Sequence, residues 1–319
     1  MKRLLPICLL AAAGAVSALA SVDTGLMALI PANSKIVAGI DIQKCRGSEF
    51  GQYLLSKSQA NDAHFDQFMM QTGFDPRSDL QSLIMTTNDD GNNRPHSNFA
   101  ILARGNFDQT KIRSLALSKG AVADTYQGVS LLIHKDHGQS VAIGFPDTGV
   151  AVMGDLDSIH SVVQNLRAPS ILDTDLTNRI DAAGNTNDAW FVSTVGGAMI
   201  GKHFSAETGG QMANQAQALQ SIRAASGGVV FGSTIGVTFD AATRSEQDAT
   251  SLADVFRFVA SMVQMQRQQD PRAGIVAASL DNMQLKNSGD SVHIGFSMSE
   301  KSLEQMAELS PQVKHRQQQ

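Results

Sequence analysis

The chain has 319 residues, of which 42% are hydrophobic and 17% charged, and 25 basic side chains against 30 acidic ones give a formal net charge of -5. This apolar content excludes an intrinsically disordered chain, and the lack of a basic excess argues against nucleic-acid binding. Two cysteines are too few for a zinc ribbon or a disulfide framework.

The first twenty residues have the pattern of a secretory signal peptide. Lys2 and Arg3 precede an apolar stretch, and Ala18 and Ala20 place small side chains where signal peptidase cuts. We expect cleavage before Ser21, export to the periplasm or the extracellular medium, and no transmembrane helix in the mature chain. An uncleaved anchor is the alternative, but the apolar stretch is short for a spanning helix.

Cys45 would be the only thiol of the mature chain, because Cys8 lies in the signal peptide. A lone thiol cannot form an intramolecular disulfide, and a buried cysteine behaves as a small apolar side chain. We therefore predict that Cys45 is buried and dispensable for folding.

The first half of the mature chain predicts strands and helices in mixed order. Alternating apolar residues predict a strand over residues 36–42, and helical spacing follows over residues 50–55 and 65–72. A short apolar run predicts a strand over residues 99–103, and Asp108 can cap the next helix. A three-strand antiparallel meander and a helix are then predicted, with strands over residues 129–133, 140–145 and 150–153 and the helix over residues 159–166.

The second half repeats this order after a break at residues 168–170. A short helix over residues 173–183 leads to a strand over residues 189–195 and a helix over residues 212–222. A long strand is predicted over residues 229–239, because its odd positions are apolar. The last predicted elements are a helix capped by Ser245 with an apolar stripe from Leu252 to Val263, a hairpin over residues 283–285 and 292–298, and a helix over residues 303–307.

This order predicts the fold class α+β, with two similar modules of mainly antiparallel sheet and helices packed on one face. Strands joined by short turns argue against a parallel dinucleotide-binding sheet. The modules are predicted over residues 21–168 and 189–310, with a connecting helix and linker over residues 169–188 and a disordered tail over residues 311–319. Phe107-Asp108 and Phe239-Asp240 precede corresponding helices, which favours an internal repeat.

Several short segments carry a resemblance to known proteins. They are Pro31, the strand of residues 36–42, residues 50–55, 73–76, 104–107 and 126–128, and Gly154-Asp155. With these segments the chain resembles families of exported bacterial proteins of unknown function that are built from repeated α+β modules. The resemblance implies location and architecture, and it brings no catalytic or binding residues.

The common catalytic motifs do not occur in the sequence. There is no Gly-x-Ser-x-Gly elbow, phosphate loop, dinucleotide fingerprint, His-Glu-x-x-His or Cys-x-x-Cys pattern. Three polar clusters are better explained by turns and helix caps than by metal binding: His134 with His137, Asp155 with Asp157 and His160, and residues 88–93. We therefore predict no catalytic residues, no metal site and no cofactor.

One strand feature can mark a ligand groove. Gly232, Thr234, Gly236 and Thr238 keep one face of the predicted long strand small, which permits close approach of a ligand. Tight packing against a helix is the alternative explanation. The stripe from Leu252 to Val263 favours a core helix over a docking face.

These features favour an exported soluble protein without enzymatic activity that binds a ligand or an unknown envelope or extracellular partner. The alternative is a secreted hydrolase whose active site is assembled from distant residues. A hydrolase would bring His, Asp and Ser or paired carboxylates together in a pocket, whereas a binding protein requires only a groove or a flat face.

Overall fold

The computed structural model describes residues 22–58, 63–89, 98–136, 139–197, 205 and 212–309. The elements up to the middle of the chain are α1 (Thr24–Met27), β1 (Ile36–Asp41), α2 (Ile42–Gly47), α3 (Glu49–Ser58), α4 (Ala63–Thr72), α5 (Pro76–Asp79), β2 (Leu80–Thr87), β3 (Phe99–Gly105), α6 (Gln109–Ser118), β4 (Val122–Tyr126), β5 (Val129–Asp136), β6 (Gln139–Asp147), β7 (Val150–Asp155) and α7 (Leu156–Asn165). They are followed by α8 (Thr174–Thr186), β8 (Ala189–Ser193), α9 (Ala213–Gln220), β9 (Ile222–Val230), β10 (Thr234–Thr243), α10 (Glu246–Met265), α11 (Pro271–Leu280), β11 (Gln284–Ser288), β12 (Ser291–Ser299) and α12 (Glu300–Leu309).

The described strands form one antiparallel sheet in the order β11-β12-β10-β9-β8-β1-β2-β3-β7-β6-β5-β4. The predicted α+β class with an antiparallel sheet is confirmed. The pairing of β1 with β8, from Ile36 opposite Ser193 to Ile40 opposite Ala189, joins the sheets of the two halves into one. The module boundaries stay predictions, and the predicted signal peptide and tail lie outside the described residues.

The two halves of the chain build their cores on opposite faces of this sheet. Residues paired directly across an antiparallel ladder share a face, and successive residues of a strand point to opposite faces. On the face of Val37, which we call face 1, Val192, Ile84 and Leu102 pack under α1, α7 and α8. This is the larger of the two cores.

The second core lies on the face of Ala38, which we call face 2. The pairing runs from Ala38 through Phe191, Gly227 and Phe239 to Ile294, so all of these residues share face 2. The buried residues Ala241, Val292 and Ile294 of this face pack under α10, which contributes Ala249, Leu252 and Ala253. The sheet is therefore covered on different sides at its two ends.

The predicted long strand over residues 229–239 is wrong. Phe231, Gly232 and Ser233 form a turn between β9 and β10, because small residues at this point let the chain reverse into a hairpin. β9 already begins at Ile222, which the pattern had assigned to the preceding helix. The pattern also did not predict β2, β4 and α11.

The apolar stripe of α10 is core only in its first part. Leu252 and Val255 are buried and Phe256 packs against the second core, but Val259 is 42% exposed. Phe258, Met262 and Met265, which also lie in the second half of this 20-residue helix, are exposed as well. The prediction that Val259 is buried in the core is therefore wrong.

Candidate binding surface

Face 2 carries a row of apolar side chains across the middle of the sheet that is partly exposed in the described part of the chain. The row lies on six adjacent strands, β8, β1, β2, β3, β7 and β6, and its members are paired directly. We call it the apolar row, and it consists of Phe191, Ala38, Met85, Ile101, Met153 and Ile143. With a strand spacing of about 4.8 Å, five intervals make it roughly 24 Å long.

The exposure of the row shows that its centre is open. Met85 is 48% exposed, Met153 37% and Phe191 36%, while the members between them are half-buried. The next row on face 2 is also apolar and uncharged, and consists of Ala189, Ile40, Leu83, Ala103 and Ala151. An apolar surface of this extent, made of adjacent rather than scattered residues, is typical of an interaction site.

Aromatic contacts join the row to the helix beside it. The Phe191 ring lies 6.3 Å from the Phe239 ring, and Phe239 lies 5.8 Å from Phe256 of α10. At the other end, α6 lies over β5, where Arg113 donates a 2.7 Å hydrogen bond to Ser130. The row is therefore bordered by α10 on one side and α6 on the other.

The second half of the sheet supplies a comparison, because its face 1 is also uncovered and is polar. Thr238, Asp240 and His293 lie there beside Gly236, Gly295 and Ser297, and all six are only partly buried. Apart from Val230, which lies opposite Gly236 and is 41% exposed, this surface contains small or polar side chains, as expected of a sheet face in water. An uncovered face of this sheet therefore does not have to be apolar.

The predicted groove residues belong to this polar surface. Thr234, Gly236 and Thr238 lie on β10, and Gly232 lies in the turn before it. Thr238 is the only one of them with a side-chain bond in the described chain, a 3.2 Å contact from Oγ1 to the Asn187 amide oxygen. Gly232 lines a cavity of about 580 Å³ together with Lys44 and Glu300, and the role of these four residues as a ligand groove stays a prediction.

The hydrogen-bonded His–Asp pair of this surface does not form a nucleophilic triad. His293 Nδ1 lies 2.8 Å from Asp240 Oδ1. In the ladder Ser226 is opposite Asp240 on one side, and His293 is opposite Asp240 on the other. The aspartate therefore separates the serine from the histidine, whereas a triad needs the histidine against the serine.

The other predicted clusters have structural roles where they are described. Asp155 caps α7 by accepting a 3.0 Å hydrogen bond from Ser158 N–H, and the His160 ring stacks 3.9 Å from Tyr126. His137 and residues 90–93 lie outside the described residues. Within the described ranges no group of three His, Cys, Asp or Glu side chains could hold a metal ion.

A polar cavity of about 340 Å³ lies where the two halves meet at β1 and β8. Its acidic side chains already have partners inside the protein: Asp23 pairs with Arg104, and Asp188 lies 3.1 Å from Lys44. Trp190, the only tryptophan of the chain, lines the cavity and lies over Gly39, where a Cβ atom would be 2.5 Å from the ring. This cavity is therefore an internally satisfied polar junction, and we prefer the apolar row as the functional surface.

Neither a protein-family model nor a curated protein matches the chain. The fold is similar to that of TP0453: crystal form III gives a TM-score of 0.53 and 10% identity over 90% of this chain and 98% of that chain. Crystal form IV gives a TM-score of 0.51 and 10% identity over 88% and 95% of the two chains. At this identity the comparison shows a shared fold alone.

None of the described helices combines the length and the apolar character that crossing a bilayer demands.

Proposed function

We propose that the protein is an exported, non-enzymatic binding protein that holds an apolar ligand against the apolar row. The observation that carries the proposal is the contrast between the two uncovered faces of one sheet. Face 1 of the second half consists of small or polar residues except for Val230, whereas face 2 presents Phe191, Met85 and Met153 to solvent.

The chemistry of the row favours an apolar occupant. Its backbone N–H and C=O groups pair within the ladder, and its side chains have no hydrogen-bond donor or charge. Fully burying a Met or Phe side chain is worth about 1.5–3 kcal/mol, so covering the half-exposed members of the row contributes several kcal/mol. Methionine side chains adapt their shape to different apolar partners.

Export is the second part of the proposal and rests on the sequence pattern of residues 1–20. Intact-mass measurement of protein from its native host should give a mature chain that begins at Ser21. Recovery of the chain with residues 1–20 attached, in the membrane fraction, would contradict export as a soluble protein.

Binding can be tested with 1-anilinonaphthalene-8-sulfonate, a dye that fluoresces on apolar protein surfaces. The native protein should enhance its fluorescence, and the double variant Met85→Gln with Met153→Gln should lose most of the enhancement. The matched control is Ser297→Gln, which places the same side chain on the uncovered polar face. Thermal melts of all three proteins verify that the fold is intact.

Two outcomes would reject the apolar row as the binding surface. One is a native protein that does not enhance the dye fluorescence. The other is an enhancement that survives in the double variant and falls in the Ser297→Gln control.

A further inference from the structure

The helices α3 and α12 pack against each other although they belong to different halves of the chain. α12 begins at Glu300, directly after β12, and α3 begins at Glu49. The Tyr53 hydroxyl of α3 donates a long hydrogen bond of 3.5 Å to the carbonyl oxygen of Glu304. This helix pair therefore links the halves in addition to the pairing of β1 with β8.

The Glu300 side chain is buried at this link. The residue is 3% exposed, and neither carboxylate oxygen has a hydrogen-bond partner of acceptable geometry in the described chain. The groups around it are the Glu49 carboxyl and the backbone N–H groups of Glu49 and Phe50. The N–H groups at the start of α3 favour a carboxylate, but a second carboxylate at this distance opposes it.

Lys44, the basic side chain of the adjoining cavity, does not neutralise the charge of a Glu300 carboxylate. The cavity, of about 580 Å³, is lined by Lys44, Glu49, Asp188 and Glu300. Lys44 Nζ is held by Asp188 at 3.1 Å. The other charged groups on the elements packed here are Arg46 on α2, Arg272 on α11, and Lys301, Glu304 and Glu308 on α12.

We propose that Glu49 and Glu300 form a proton-dependent clamp between the two halves. A proton on the buried Glu300 carboxyl keeps α12 on α3, and loss of that proton leaves a buried carboxylate beside the Glu49 carboxylate, so that α12 moves away. The movement exposes the half-buried side chains of Leu303 and Met306.

The direction of the pH dependence follows from the environment of Glu300. Burial raises the pKa of the Glu300 carboxyl, and the Glu49 carboxyl beside it raises the pKa further. A carboxyl with a raised pKa in the folded state stabilises that state fully below its ordinary pKa of about 4.3. The stabilisation is lost as the pH rises through the raised value, so the clamp closes in acid and loosens toward neutral and alkaline pH.

Hydrogen exchange of the full mature chain, measured by mass spectrometry between pH 5 and pH 8 and corrected for the intrinsic rate, tests the clamp. Peptides of α3 and α12 should lose protection with rising pH, by up to about tenfold per pH unit above the raised pKa. Glu300→Gln should abolish this dependence, and Glu49→Gln should reduce it. Glu304→Gln, a carboxyl removed from the same helix, should leave it unchanged.

The clamp is overturned if α3 and α12 show the same pH dependence in Glu300→Gln as in the wild type. Should Glu300→Gln not fold, Glu49→Gln decides the question, because an unchanged pH dependence in that variant equally overturns the proposal. A loss of protection spread evenly over β9 and β10 as well would assign the effect to global unfolding and would reject a local clamp.

Discussion

One leucine and one valine of α10 test whether the first part of this helix forms the second core. Leu252 is fully buried between the sheet and the helix, whereas Val259, seven residues later on the same helix, is 42% exposed. Leu252→Ala removes three carbon atoms, worth about 2.4 kcal/mol of transfer free energy at ~0.8 kcal/mol each. The cavity left behind brings the expected loss of stability to roughly 3–5 kcal/mol. Val259→Ala removes two carbon atoms from a site that water already reaches, and we expect a loss of about 1 kcal/mol or less.

Urea unfolding followed by circular dichroism measures both free energies of unfolding. Arg257→Ala serves as a surface control, because the Arg257 side chain is exposed and pairs with Asp254 one turn earlier on the helix, at 2.7 Å. It should cost about 0.5 kcal/mol or less. Equal losses for Leu252→Ala and Val259→Ala, or a larger loss for Val259→Ala, would refute the position of α10 on face 2.

Two further predictions concern single polar groups. Cys45 lies in α2 and is half-buried, less than the sequence predicts. Burial together with the charges of Asp188 and Asp41 raises the pKa of its thiol, so iodoacetamide should modify it slowly at neutral pH. Cys45→Ala should keep a cooperative melt. A fast reaction or an unfolded variant would contradict this. Burial alone raises the pKa of Asp23, but hydrogen bonds from Arg104 and the Leu26 N–H outweigh it and hold the pKa below its usual range. Asp23→Asn should therefore lower the free energy of unfolding by about 1–2 kcal/mol at pH 7, and this loss should shrink as the pH falls through the lowered pKa. A loss of stability that is independent of pH would show that the ion pair with Arg104 is not its source.

The elements that the sequence predicted well are those with strong local patterns. The N-caps Asp108 and Ser245 accept hydrogen bonds from the N–H groups of Lys111 and Asp248, as capping residues do. The meander of β5, β6 and β7 also follows its prediction, because turn residues separate its apolar runs. In these places the residues that define the pattern also form the contacts.

The failures of prediction occur where the deciding contacts lie far away in the chain. β2 carries apolar residues on both faces, Ile84 on face 1 and Leu83 and Met85 on face 2, so its sequence shows no simple alternation of polar and apolar residues. A turn at Gly232 divides the predicted long strand into β9 and β10, because β9 pairs with β8, a contact that the local sequence pattern does not contain. The burial of Glu300 depends on α3, which begins about 250 residues earlier.

The apolar row could not be found in the sequence for the same reason. Its members come from six strands, and only the register brings Ala38 opposite both Phe191 and Met85. The apolar residues of each strand alone suit a buried face as well as an exposed one. Which part of a face is covered depends on where the helices pack: α1, α7 and α8 lie on face 1, whereas α10 and α6 lie on face 2 at the two ends of the row.

The difference between the two exposed faces shows that the apolar side chains of the row are not needed for folding. In each half, part of one face of the common sheet is exposed in the described chain: the apolar row on face 2, and the surface around Thr238 on face 1. In the second half that face is built from residues such as Thr238, Asp240 and Ser297, so the sheet remains folded with polar side chains there. Stability therefore does not require Met85 and Met153 to be apolar, and an exposed apolar face carries a cost in aggregation. A binding role for the row explains why these side chains are apolar, and it implies that polar replacements at Met85 and Met153 reduce binding and leave folding intact.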